Sequence, residues 1–190
     1  MKVGTKSVLF GAHCFFIHPF FVALAWWRLY GFPWDPRLWV AFFVHDLGYW
    51  GKPNMDGEEG EMHPWWGATF MARLVDRRTT NLGTWGEFVL LHSRFLAKRY
   101  GLRPSKLCAA DKLAVALEPW WLYLPRVILT GEIREYMVRR RHGKYAAESR
   151  GQAAPTSRRE WHRRMSTYCY EWAFEHADGR EDTWTPEVAR

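Results

Sequence analysis

The chain has 190 residues, is 48% apolar with 13 tryptophans, and carries a net charge of +7. That length favours one domain with a sizeable core, and the apolar share excludes a disordered chain. The three cysteines, Cys14, Cys108 and Cys169, are odd in number, widely spaced and without a CxxC pair. They give no sign of a disulfide framework or a thiolate zinc site, and predict buried reduced thiols in a cytoplasmic protein.

The charge is unevenly placed. Between Arg134 and Arg164 ten Lys/Arg face three Glu, so this window alone carries the net +7. A local basic surface suits an anionic partner, nucleic acid among them, although such runs are more often a solvated face. Ser7 to Trp27 is 21 residues without a formal charge, long enough to cross a bilayer. His13, His18 and Pro19 in its middle argue for a buried core helix and against a membrane span.

In chain order, a helix is predicted over His18 to Tyr30, with His18 on the same apolar face as Val22, Ala25, Trp26 and Leu29. Gly31 to Pro33 end it, and Asp35 caps the next helix with Pro36 at its first position. That helix, Arg37 to Asp46, is apolar on nearly every side and brings His45 and Asp46 to its end. A polar loop, Gly51 to Gly60, follows. Pro64 opens a third helix to about Arg77, with His63 at its boundary. A fourth, Trp85 to Arg99, puts His92 on one stripe with Phe88, Phe95 and Leu96. A fifth, begun at Ser105, carries Asp111 in an apolar stripe with Leu107, Ala114 and Leu117. An acid there is out of place unless a charge meets it.

Pro119 and Pro125 bracket WWLYL, and Thr130 is read as the cap of a helix ending at Arg139 to Arg141, where cations favour the dipole. Residues 143–156 read as a mobile connection. Ser157 to His176 reads as a docking helix with an apolar stripe of Trp161, Met165, Tyr168 and Trp172. Residues after Gly179 read as a tail. The expectation is an all-α single domain of about seven helices: a core over 1–142, the connection, a docking helix over 157–178 and a tail over 179–190.

A single histidine on an apolar face is usually a satisfied core residue. The argument rests on the set: His18, His45, Asp46, His63, His92 and Asp111, each on an apolar face or at a loop boundary. Leaving several of these buried without a partner would cost about 1–3 kcal/mol each. Imidazole with carboxylate suits Fe, Mn, Co, Ni or Zn.

The order of these residues resembles the HD-domain superfamily of metal-dependent phosphohydrolases. The carrying stretches are HPFFVALAWWRLYG from His18, FVHDLGYWGK around His45-Asp46, HPWWGA from His63, LLHSRF around His92 and AADKLA around Asp111. Together they run over about Cys14 to Ala116. The resemblance implies one metal held by His18, His45, Asp46 and Asp111. It implies a second held by His63, His92 and a bridging Asp46. It further implies hydrolysis of a phosphate ester or anhydride of a small metabolite or nucleotide by a metal-bridging hydroxide, with phosphate oxygens held by cations drawn from Lys52, Arg94 and Lys112, and also Lys98.

Two departures stand out. Many relatives read HDxGK, where this chain has Tyr49, and no GYP signature follows His92. A di-iron oxygenase branch uses a similar ligand set, so the ligands alone leave oxygenation of a small organic substrate as an alternative. A non-enzymatic, basic nucleic-acid-binding module is a second alternative. His13 is a lesser candidate for the upstream ligand, because five residues from His18 is a poor match for a shared face. His142 and His162 read as surface. Trp50, Trp65, Trp66, Trp120 and Trp121 read as packing of a small core rather than a stacking pocket. The oligomeric state stays open.

Overall fold

The computed structural model describes residues 1–78, 80–141, 155–182 and 184, the side chains of 138–141 excepted. Among these residues the protein is all helix, one compact domain without strands. The helices are α1 Val3–Phe10, α2 His18–Tyr30, α3 Pro36–Val44, the single turn α4 Glu58–Glu61, α5 Pro64–Leu74, α6 Gly83–Leu90, α7 Arg94–Arg99, α8 Lys106–Leu117, α9 Trp120–Thr130, α10 Glu132–Arg141 and α11 Arg158–Glu175. A short 3₁₀ turn covers Leu47–Tyr49.

The start of α3 follows the sequence signals: Pro36 needs no donor in the first turn, and Asp35 accepts from the Arg37 N–H. α2 spans the predicted residues. Four helices exceed the expected seven, and each has a local reason. α1 forms in the basic start. The turn α4 forms inside the polar loop, where three Glu favour a helix N-terminus. The stretch Trp85 to Arg99 breaks at residues 91–93, where the Ser93 hydroxyl accepts from Leu96 N–H and starts α7. α9 runs straight through Pro125. The missing N–H there costs a bond to the Trp121 carbonyl, and Trp121 is 62% exposed, so the gap faces the solvent side.

Thr130 does not cap α10. It closes α9, its hydroxyl donating back to the Arg126 carbonyl at 3.0 Å, and Gly131 turns the chain in the left-handed region (φ 87°). The uncharged Ser7–Trp27 stretch is split between α1 and α2, and among the described residues no helix is long and apolar enough to cross a membrane.

The centre of the domain is α8, packed between α2 and α11, while α5 packs on α6. Small residues make the close approach possible: Ala25 on α2, Ala110 and Ala114 on α8 and Ala173 on α11 are all fully buried. Phe42, Met71, Leu96, Leu107 and Leu113 fill the remaining core, each side chain worth about 1.5–3 kcal/mol by burial. The docking helix keeps its expected span, with Ser157 accepting from Glu160 N–H at its start. Its C-terminal extension is held at Asp182, which accepts from Arg94 Nε at 2.9 Å, Trp172 Nε1 at 3.0 Å and Trp184 N at 3.0 Å. Residues 142–154, which hold most of the expected mobile connection together with His142, Lys144 and Arg150, lie outside the described residues, while Thr156 at the end of that connection donates to Glu160 Oε2 at 2.7 Å.

Candidate metal centre

Three of the four histidines sit at the C-terminal ends of helices. His45 follows α3, His63 lies two residues past α4, and His92 two past α6. The last carbonyls of a helix have no intrahelical donor. Each ring supplies one: His45 Nδ1 donates to Phe42 O at 2.9 Å, His63 Nδ1 to Gly60 O at 2.8 Å and His92 Nδ1 to Val89 O at 2.6 Å. In the neutral ring this bond fixes the tautomer and places the lone pair on Nε2. It also turns Nε2 away from the helix end, and all three meet at Asp46. His18 enters from the first residue of α2 and Asp111 from the middle of α8.

The six side chains, all buried, form two groups that share Asp46. In the first, His18 Nε2 lies 3.0 Å from Asp111 Oδ1 and 3.4 Å from Asp46 Oδ2. His45 Nε2 lies 3.0 Å from Asp46 Oδ2 and 3.8 Å from Asp111 Oδ1. In the second, Asp46 Oδ1 faces His63 Nε2 at 3.3 Å and His92 Nε2 at 3.4 Å. Within each group one donor atom per residue lies within 4.8 Å of all the others. His18, His45, Asp46 and Asp111 could hold one ion, and Asp46, His63 and His92 another.

Two features fit a cation better than a hydrogen-bonded core. His45 Nε2 and Asp46 Oδ2 are close, yet both lack a hydrogen-bond partner, so the contact is not aligned for a shared proton. His63 Nε2 and His92 Nε2 lie 3.1 Å apart with both Nδ1 atoms already donating, so two lone pairs confront each other. Buried polar atoms are normally satisfied; here ligand atoms converge on one another instead. The two carboxylates favour positive charge at this point: burial opposes charge on His45, but Asp46 and Asp111 outweigh it and push it up to about 10, so that without another cation its Nε2 holds a proton. Burial likewise opposes ionisation of Asp46 and Asp111. His45 around the first, and Lys112 and His18 around the second, hold both well below the usual carboxylate range. Burial lowers His63 to about 4, which keeps it neutral and its lone pair available.

Close backbone packing sets the second group. A Cβ on Gly48 would stand 1.9 Å from the His63 carbonyl oxygen, so the 3₁₀ turn after Asp46 meets the α5 entry only because residue 48 has no side chain. Tyr49 is buried and stacks flat on His63, centroids 3.7 Å apart at 14°. Burial and the Asp46 charge keep its hydroxyl protonated.

The cations named from the sequence are dispersed. Lys112 is at the centre, its Nζ 3.6 Å from Asp111 Oδ2. Arg94 turns to Asp182 and lies over the Trp172 ring at 4.8 Å, and Lys98 Nζ donates to the Asp182 carbonyl at 3.2 Å. Both tether the C-terminal segment. Lys52 lies beside α1, its carbonyl accepting from Gly4 N–H at 3.1 Å. His162 is buried against Tyr123, not at the surface. Of the five tryptophans expected in the core, Trp50, Trp66, Trp120 and Trp121 are exposed.

Sequence reasoning misses a polar chain behind the centre. His13 packs on Tyr49 and His18, with ring centroids at 4.7 and 5.8 Å. Its Nδ1 is 2.9 Å from Ser7 Oγ, which donates to Glu132 Oε2 at 2.8 Å. Glu132 is wholly buried and also accepts from Thr130, Tyr136 and the Ala12 N–H. An acid at the start of α10 reads from sequence as a dipole-compensating surface group, so nothing in the pattern marks it.

No family model, curated protein or solved structure matches this chain.

Proposed function

We propose that the protein is a metal-dependent phosphohydrolase that binds two divalent transition-metal ions, one in each group, with Asp46 bridging. The supporting observation is the facing pair His63 Nε2 and His92 Nε2 beside Asp46 Oδ1, three potential ligand atoms within 3.4 Å of one another, with both Nδ1 atoms already donating elsewhere. All-nitrogen and oxygen donors suit Fe, Mn, Co, Ni or Zn. Such a pair supplies Lewis acidity toward phosphoryl oxygens and an acidified water for in-line attack. The chain's own residues do the rest. The helix-end carbonyls hold three rings in the ligating tautomer, a second layer that metal sites depend on. Asp46 spans both positions, and Lys112 offers a cation beside Asp111 to a phosphate oxygen. The substrate that fits this reading is a small phosphate ester or anhydride, a nucleotide included.

Tyr49 favours a second reading. A buried phenol stacked on His63 takes the place of a phosphate-binding lysine, and an uncharged wall suits a di-iron oxygenase acting on a small organic substrate. The test is metal analysis of protein purified without added metal, followed by assay of a panel of phosphomonoesters and nucleotides with and without O₂. Phosphate release that survives anaerobiosis and is lost in Asp46→Ala supports the first reading. Two irons with O₂-dependent turnover and no phosphate release would replace it with the second. A protein that retains no metal sinks both.

A further inference from the structure

α2 is apolar on every side apart from His18 and Arg28. A helix of that kind is normally buried all round. Here only one face is covered. Val22, Ala25 and Trp26 enter the core, while Phe20, Leu24 and Trp27, spaced at i, i+4 and i+7, line the opposite face at 55%, 36% and 57% exposure. The ridge continues past both ends of the helix. Phe20 contacts Phe43 (5.6 Å), which contacts Phe15 (5.2 Å), which contacts Phe16, itself 70% exposed. At the other end Trp27 contacts Phe32 (5.8 Å) and Phe32 contacts Trp34 (4.5 Å), 84% exposed.

We infer that this ridge is the self-association face of the protein, covered by the same ridge of a second copy in a two-fold dimer. At 150–250 Å² per aromatic side chain, its exposed part offers on the order of 600 Å², close to the roughly 800 Å² per partner of a stable interface. A two-fold axis would set this same apolar face of both copies against each other, as an isologous contact requires. Another occupant fits less well. A lipid surface would be met by flanking cations, but Arg28 is the only one on α2, and Arg37 is engaged by Asp35 and Trp85. Because α2 begins with His18, a dimer would hold from outside the helix that supplies one ligand of each centre.

The inference does not depend on the metal reading, and its test is separate. Sedimentation of the full chain is expected to give twice the 22.6 kDa protomer mass, shifting to the protomer mass in Trp27→Glu. The single change Trp34→Ser, at a position too exposed to matter for folding, is expected to weaken the dimer at least tenfold with an unchanged helical circular dichroism spectrum and metal content. A wild-type chain that stays monomeric at its highest soluble concentration would overturn the inference. So would a dimer indifferent to both substitutions, or a monomer that floats with anionic vesicles through Trp27.

Discussion

His63 Nε2 and His92 Nε2 face each other at 3.1 Å, each ring having already spent its Nδ1 proton on a helix-end carbonyl. Between neutral rings this is a repulsive contact of lone pairs, which a bound cation would relieve. The protein should therefore be measurably less stable without metal. At free metal one hundred times Kd, binding to one site adds about 2.7 kcal/mol, or roughly 5–11 °C in Tm for a domain of this size. Thermal unfolding before and after exhaustive chelation, with metal re-added, checks this. An unchanged Tm would mean that the rings are reconciled by protons.

Asp46 is the only residue common to both groups, so ligand substitutions should separate into two kinds. His63→Ala or His92→Ala is expected to leave about one equivalent of metal, and Asp46→Ala close to none. Elemental analysis of the purified variants gives the answer, and equal losses from all three would argue for a single shared ion.

Gly48→Ala should act on the second group without touching a ligand. Its methyl would collide with the His63 carbonyl oxygen at 1.9 Å, and the backbone carrying His63 must move. The expected result is loss of one metal equivalent and a destabilisation of about 1–3 kcal/mol, as for overpacking elsewhere. Denaturant unfolding and metal content measured on one preparation test both halves.

Arg94 should prove structural. Its guanidinium is paired with buried Asp182 and covered by Trp172. Arg94→Met removes the guanidinium from that carboxylate. The expected cost is about 3 kcal/mol, or roughly 6–12 °C in Tm, with metal content unchanged. If activity is found, a rise in KM in this variant without loss of Tm would return Arg94 to the role of phosphate clamp.

The start of α11 carries a pH dependence of known sign. Hydrogen bonds from Thr156 and Arg164 hold the half-buried Glu160 carboxyl down to about 2. A depressed acid contributes stability above its unfolded value of 4.5, and that contribution is lost as pH falls toward 2. Glu160→Gln should flatten the stability profile over that window and leave it unchanged at pH 7 and above apart from a constant offset. Acid titration followed by circular dichroism distinguishes the two profiles.

Much of the fold is legible in the sequence where one local signal is unopposed. Asp35-Pro36 starts α3, the His18 register sets α2, and Ser157 opens α11. Trp85 to Arg99 misleads because its apolar period runs unbroken across residues 91–93, while the ladder ends at Leu90 so that His92 can face Asp46. The six converging side chains are legible as a set because polar groups on apolar stripes are conspicuous. Their cationic neighbours are not. Arg94 and Lys112 look alike in the sequence, and only the packed C-terminal segment decides that one meets Asp182 and the other Asp111. Glu132 is hidden for the same reason, since its burial depends on α1 and on the residues around Ala12, far away in the chain.

The bonds that aim His45, His63 and His92 each reach back three residues, within a single turn of backbone. Ring direction is thus written into the nearest neighbours along the chain and owes little to distant helices. A nascent or damaged copy lacking one helix would keep its remaining imidazoles pointed correctly, giving an incomplete socket rather than a scrambled one. Capture of the ion would then be the last step of assembly, made by parts already shaped for it.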